Sequence, residues 1–165
     1  MVNNVKSEIE LYTPMMSWLD VYLADRYKGW NIKVIDSHAR NLDAILDENG
    51  VLSNYPQTIG LGIQIDVLGI LRKKTDSAIV FIEAKKTQLT LHSLGQLWAY
   101  CKLCDPKEAF LLSSAGLGSL SKILTNLGRT DLLDFGDGET IKKMKVGKWD
   151  VDRGAIDYFT LIPKQ

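Results

Sequence analysis

Residues 78–85 constrain the fold of this chain more than any other segment. In Ala78-Ile79-Val80-Phe81-Ile82-Glu83-Ala84-Lys85, Ile79 and Phe81 occupy one face of an extended strand, and Ala78, Val80 and Ile82 occupy the other. Both faces are apolar, so the strand must be covered above and below, as a central strand of an α/β sheet is. The segment then changes character abruptly. Glu83 and Lys85 lie on the same face as Ile79 and Phe81, so two charges emerge where a buried strand ends.

The surrounding pattern supplies the other layers. Ser7-Glu8-Ile9-Glu10 matches a capping box with Ser7 as N-cap, and Thr13-Pro14 is a second helix start. The spacing predicts either one helix kinked at Pro14 or a turn before a main helix over 14–27, with Met15, Trp18, Leu19, Tyr22 and Leu23 inward. Alternation predicts a strand over 30–36. Residues 39–46 suit a short helix, and 61–71 a second apolar strand. Thr90 or Ser93 can cap a helix that ends at Asp105-Pro106, and 108–113 is another buried strand. A helix over 119–126 ends before Gly128, and 142–151 with 155–162 suit a closing hairpin or edge strands. This order predicts an α/β fold, a central mixed β-sheet with helices on both faces.

At 165 residues the chain suits one domain spanning 1–165, burying roughly 70% of its unfolded surface without disulfide or structural metal. No apolar run is long enough to span a membrane, and residues 1–7 lack a signal-peptide core, so a cytoplasmic protein is expected. Cys101 and Cys104 are spaced C-x-x-C, but His38 and His92 show no ligand spacing to complete a zinc site. Buried, inert thiols are the expectation. The formal net charge is zero, which excludes a global positive field. Charge is uneven, however. Residues 1–50 hold 5 basic and 8 acidic side chains, whereas 140–165 hold 6 basic and 3 acidic. Arg72-Lys73-Lys74, Lys85-Lys86 and Lys142-Lys143-x-Lys145-x-x-Lys148 are local basic clusters able to neutralise phosphates on one face.

Asp66 interrupts the apolar run 63–71, and a carboxylate there is costly unless it is paired or bound to a metal. Mg²⁺ takes one or two carboxylates and several waters. Asp66 and Glu83 can supply the carboxylates, and the Ala84 carbonyl a further ligand. Lys85 can orient an attacking water or stabilise charge on a phosphorane-like transition state. That is chemistry for phosphodiester hydrolysis, with Mn²⁺ able to replace Mg²⁺. The alternative is a salt bridge between Lys85 and one carboxylate. A short [D/E]-x-K pattern arises by chance about once in such a chain, and Asp105-Pro106-Lys107, at a helix end, is that match.

Taken together, Ile65-Asp66 and Glu83-Ala84-Lys85, seventeen residues apart on two expected adjacent strands, resemble the PD-(D/E)XK nuclease superfamily, with Ile65 in place of the proline. Gln96-Leu97-Trp98-Ala99-Tyr100 is similar to the Q-x-x-x-Y motif of RecB-type and type I restriction nuclease domains. At i and i+4, Gln96 and Tyr100 share a helix face. The resemblance covers roughly residues 8–113 and implies a restriction-endonuclease-like core. It places Asp66, Glu83, Lys85 and Gln96 at the catalytic centre, with Tyr100 near the metal or the nucleic-acid backbone. Glu8 is the candidate for the acidic residue that the first helix often adds.

The resemblance implies a divalent-metal-dependent endodeoxyribonuclease of restriction-like, mobile-element or phage type. DNA is the expected partner, through Tyr100, Lys86, Lys142, Lys143 and Lys145, and a homodimer or larger homo-oligomer is expected for double-strand cutting. A Holliday-junction resolvase-like nuclease and a non-catalytic nucleic-acid-binding module of the same fold are the alternatives.

Overall fold

Strand β3 (Asp76–Lys85) lies inside a six-stranded sheet. Its residues from Ile79 to Ala84 are all buried, as the two-sided apolar pattern requires. The computed structural model describes residues 5–164. Strands β1 (Asn31–Asp36), β2 (Val67–Lys73) and β3 form an antiparallel meander. β4 (Glu108–Ser113) and β7 (Lys145–Asp150) then add in parallel, and β8 (Ala155–Ile162) returns antiparallel at the edge. The sheet is therefore mixed. Strands β5 (Asp134–Gly136) and β6 (Ile141–Lys143) form a separate two-stranded ribbon.

Helices cover both faces. Helix α1 (Ile9–Arg26) packs Leu11, Met15, Leu19 and Leu23 onto Val67, Val80, Ile82, Phe110 and Trp149. On the opposite face, α2 (Leu42–Glu48), α3 (Leu91–Cys104) and α4, over residues 119–126, bury Ile79, Phe81, Leu111 and Val146. Helix α4 opens as a turn of α-helix and continues as a turn of π-helix. The approach of α1 depends on Gly69. A Cβ there would stand 2.9 Å from Leu23 Cδ1 and 3.4 Å from Leu19 Cδ2.

The structure corrects several expected boundaries. Helix α1 runs unbroken through Pro14; it begins after Glu8, whose side chain makes no capping bond, while the Ser7 hydroxyl accepts from the Ile9 amide at 3.3 Å as a capping side chain does. Glu10 does reach back, accepting from the amides of Lys6 (2.9 Å) and Ser7 (3.4 Å). Trp18 and Tyr22 are only partly buried, and Tyr12 and Leu11 take inward positions. The strand expected over 61–71 starts only at Val67, so Asp66 lies just outside it. The short helix begins at Leu42 rather than Ala39. Thr90, not Ser93, caps α3, its hydroxyl accepting from Ser93 N–H at 3.3 Å. The basic run 142–148 divides between the ribbon and β7. No helix among the described residues is long and apolar enough to cross a membrane.

Candidate functional site

The paired register of β2 and β3 ends at Val67↔Ile82, and the next opposed positions are Asp66 and Glu83. Like charges directly opposite one another destabilise a sheet, and here Asp66 is half-buried and Glu83 is removed from water. Glu83 is 6% exposed. The two residues are knitted together. The Asp66 amide donates to Glu83 Oε1 at 3.3 Å, and the Ala84 amide donates to Asp66 Oδ2 at 2.9 Å. The N–H and C=O of one strand residue face the same neighbour, so the Ala84 carbonyl is turned to Asp66 as well. Burial, and then the Asp66 charge, push the Glu83 carboxyl up to about 8. Burial raises Asp66 too, against the opposing pull of the Ala84 amide and the Tyr12 hydroxyl.

No ion pair relieves this repulsion. Among the described residues, none of the salt bridges involves Asp66, Glu83 or Lys85, so the salt-bridge alternative is not the arrangement adopted. Lys85 lies two residues beyond Glu83 on the same face and lowers both carboxyls by its charge alone. One buried and one half-buried carboxylate outside any salt bridge, beside a carbonyl, are the donor set that Mg²⁺ accepts. Among the described residues no three His, Cys, Asp or Glu side chains form a ready-made cage, so solvent would complete the coordination.

Three more residues gather around Asp66. Glu8 Oε2 accepts from the Lys86 amide at 3.1 Å, across seventy-eight positions of sequence, and its charge raises both Asp66 and Tyr12. Glu10 is occupied by the amides before the helix, so Glu8 is the first-helix carboxylate at the site. Tyr12, which sequence reasoning missed, donates its hydroxyl to Asp66 Oδ1 at 3.2 Å. Its ring packs at a tilt of 36° against His38, with centroids 4.8 Å apart, and His38 Nδ1 lies 2.5 Å from Asp36 Oδ1. Tyr12 falls on the inward stripe of α1, where an aromatic reads as core. Only the meeting of α1 with the start of β2 reveals its bond.

The remaining expected residues lie elsewhere. Gln96 is exposed and Tyr100 half-buried on α3, where Gln96 Nε2 donates to Tyr100 Oη at 3.4 Å. Among the described residues no hydrogen bond joins either to the carboxylates. Lys86 is exposed, its ammonium on the Lys6 carbonyl at 2.9 Å. The structure commits the other three lysines to internal partners. Lys142 pairs with Asp105 at 2.6 Å and donates to the Pro106 carbonyl, and Lys143 pairs with Asp134. Lys145, half-buried, pairs with buried Glu108, which Tyr22, Tyr27 and Arg26 also reach. Cys101 and Cys104 are buried free thiols, pushed up by burial, Cys104 to about 11.

Comparison of the chain with protein families, with curated proteins and with solved structures found no match.

Proposed function

We propose that the chain is a divalent-metal-dependent endodeoxyribonuclease of the PD-(D/E)XK type, hydrolysing DNA phosphodiester bonds. One observation carries the reading: buried Glu83 and half-buried Asp66 are opposed with no salt-bridge partner among the described residues, and Lys85 follows on the face of Glu83. A stability-driven sequence would replace one of the two, because opposed carboxyls at a buried strand end cost stability, either as repulsion or as a retained proton.

Asp66, Glu83 and the Ala84 carbonyl would hold Mg²⁺ or Mn²⁺. The ion, when bound, polarises the scissile phosphate and lowers the pKa of a coordinated water. The Ala84 amide and the Tyr12 hydroxyl fix the Asp66 carboxylate. Lys85 brings a cation to the phosphate, where negative charge grows in the transition state. Glu8, tied to the amide after Lys85, adds negative charge on the α1 side of the site. One chain carries one such site, so cutting both strands together calls for a homodimer.

The test is incubation of supercoiled plasmid, a synthetic four-way junction and single-stranded DNA with the protein in Mg²⁺, Mn²⁺ or EDTA, beside Glu83→Ala. Metal-dependent cutting by the wild type, lost in the variant, is expected. DNA binding without cutting in any metal would replace the nuclease with a non-catalytic module.

A further inference from the structure

Three strands bring one row of side chains to the same end of the sheet. Lys85 of β3 is in register with Ser113 of β4, and Ser113 with Lys148 of β7. Paired residues on neighbouring strands share a face, so Lys148 stands on the side of Glu83 and Lys85, two strand spacings away, or about 10 Å. Ser113 between them is buried and holds the floor together. Its hydroxyl donates to the Thr87 carbonyl at 2.5 Å, and the Leu89 amide donates to the Gly116 carbonyl at 3.2 Å. Gly118, at φ 54°, has no room for a side chain: a Cβ would meet Leu89 O and Gln88 Cβ at 2.9 Å.

Beyond Lys148 the row opens into a groove of about 490 Å³ that runs to the sheet edge between the 116–118 loop, α4 and β8. Lys148 and Lys164 line it, with Thr125 and Phe159, and among the described residues no acidic side chain does. Phe159 is 92% exposed, although it belongs to a strand. The cause is a built irregularity. The β7–β8 register shifts between Val146 and Lys148. Thr160 Oγ1 accepts from the Lys148 amide at 2.8 Å and donates to the Asp157 carbonyl at 2.7 Å, while Asp157 Oδ1 accepts from the Phe159 amide at 3.1 Å. Lys164 Nζ bonds the Phe159 carbonyl. Bulges of this kind re-aim a side chain, and this one holds an aromatic ring in water at the mouth of a cationic groove.

We infer that this groove is a strand-binding subsite. Lys148 and Lys164 would take backbone phosphates within a few nucleotides of the scissile bond, and Phe159 would stack an unpaired base. The inference rests on the nuclease reading for its choice of nucleic acid, and it adds a preference. A continuous duplex keeps its base faces covered, whereas a single strand, flap or frayed end offers one to an aromatic ring. The substrate class is therefore DNA carrying unpaired nucleotides beside the cut.

The test measures binding apart from cutting. A fluorescein-labelled single-stranded oligonucleotide and its blunt duplex are titrated in EDTA with wild type, Phe159→Ala, Phe159→Trp and Lys148→Ala, and cleavage is assayed separately in Mg²⁺. Phe159 is exposed, so unchanged melting of Phe159→Ala is the folding control. Expected are tighter single-strand binding by the wild type and a loss of about tenfold for Phe159→Ala on the single strand, within the range of base–aromatic stacking. The tryptophan variant should retain affinity, the duplex should be unaffected by either change at 159, and Lys148→Ala should reduce the salt slope by about 1. That pattern without cutting would keep the subsite and discard the nuclease. Cutting with unchanged single-strand affinity in Phe159→Ala would keep the nuclease and overturn the subsite. Equal losses on both substrates, binding of neither, or self-association that disappears in Phe159→Ala would likewise overturn it, the last assigning the ring to a second copy of the chain.

Discussion

Asp66 and Glu83 face each other across the open end of the β2–β3 pair, and their repulsion has a thermodynamic signature independent of any substrate. Glu83 is raised in the folded chain from about 4.5 to about 8, by burial first and the Asp66 charge second. Between those pH values the folded chain keeps a proton that the unfolded chain has released. Stability of the metal-free protein therefore falls as pH rises through that window, and this group contributes no further slope above it. Thermal melts from pH 5 to 9 in EDTA should show the decline, and Glu83→Gln should flatten it. At pH 8 Mg²⁺ should raise the wild-type Tm and leave that of Glu83→Gln unchanged, because the metal replaces the proton. Parallel melting profiles for the two proteins would argue against a strained carboxylate pair. The [D/E]-x-K residues themselves were legible in the sequence, since their charge contradicts the apolar strand carrying them. The bond from Tyr12 to Asp66 was not, since it joins residues fifty-four positions apart.

At the scale of elements, the other end of the sheet shows the opposite charge design. Glu108, at the start of β4, is as buried as Glu83, but Lys145 of β7 and Tyr22, Tyr27 and Arg26 at the end of α1 surround it. Burial opposes its ionisation, yet hydrogen bonds from Lys145, Tyr22 and Tyr27 hold its carboxyl below the usual range. Its stabilisation is fully present above the unfolded value near 4.5 and is lost as pH falls through the lower folded value. The sign is opposite to that of Glu83, so one end of β3 and β4 weakens the fold toward base and the other toward acid. Lys145→Ala leaves the buried carboxylate short of its main partner and should cost about 3 kcal/mol in urea unfolding at pH 7. A cost below about 1 kcal/mol, the range of a surface pair, would deny the network its structural role. Packing between elements makes a similar demand at Gly69: Gly69→Val would push α1 off the sheet, and a loss of about 1–3 kcal/mol is expected in the same assay. Strand β3, helix α3 and strand β4 were readable from apolar periodicity and the Thr90 cap. The late start of β2 was not, because residues 61–65 are as apolar as the strand they precede.

For the molecule as a whole, the distribution of lysines matters more than their number. The chain carries twenty basic and twenty acidic residues, and three of the lysines grouped in the 142–145 run are consumed by Asp105, Asp134 and Glu108. Lys145 also faces α1, away from Lys85 and Lys148, and three residues below Lys148 along β7. The lysines outside salt bridges along this row are few, chiefly Lys85 beside the carboxylates and Lys148 and Lys164 in the groove. Single-strand affinity should accordingly show a shallow salt dependence, with a log–log slope of roughly −2 for about three neutralised phosphates. Lys142→Ala and Lys143→Ala should leave both affinity and slope unchanged in the same titration. A slope twice as steep, reduced by either substitution, would return the basic run to the nucleic acid.

The sequence by itself determined the layer plan. Two-sided apolar strands demand cover on both faces, and helical and strand periods are local properties that any window of the chain displays. It also marked Asp66, Glu83 and Lys85, because charges at the end of buried strands are conspicuous without knowledge of any partner. Only the tertiary structure decided which charges are neutralised. Lys145 and Lys148 look alike in a basic run, yet one pairs with buried Glu108 and the other lines an open groove. Glu8 and Glu10 look alike in a capping box, yet only Glu8 reaches the amide of Lys86. The physical reason is that charge compensation is fixed by distance in space, and sequence spacing sets that distance only within a single helix or strand.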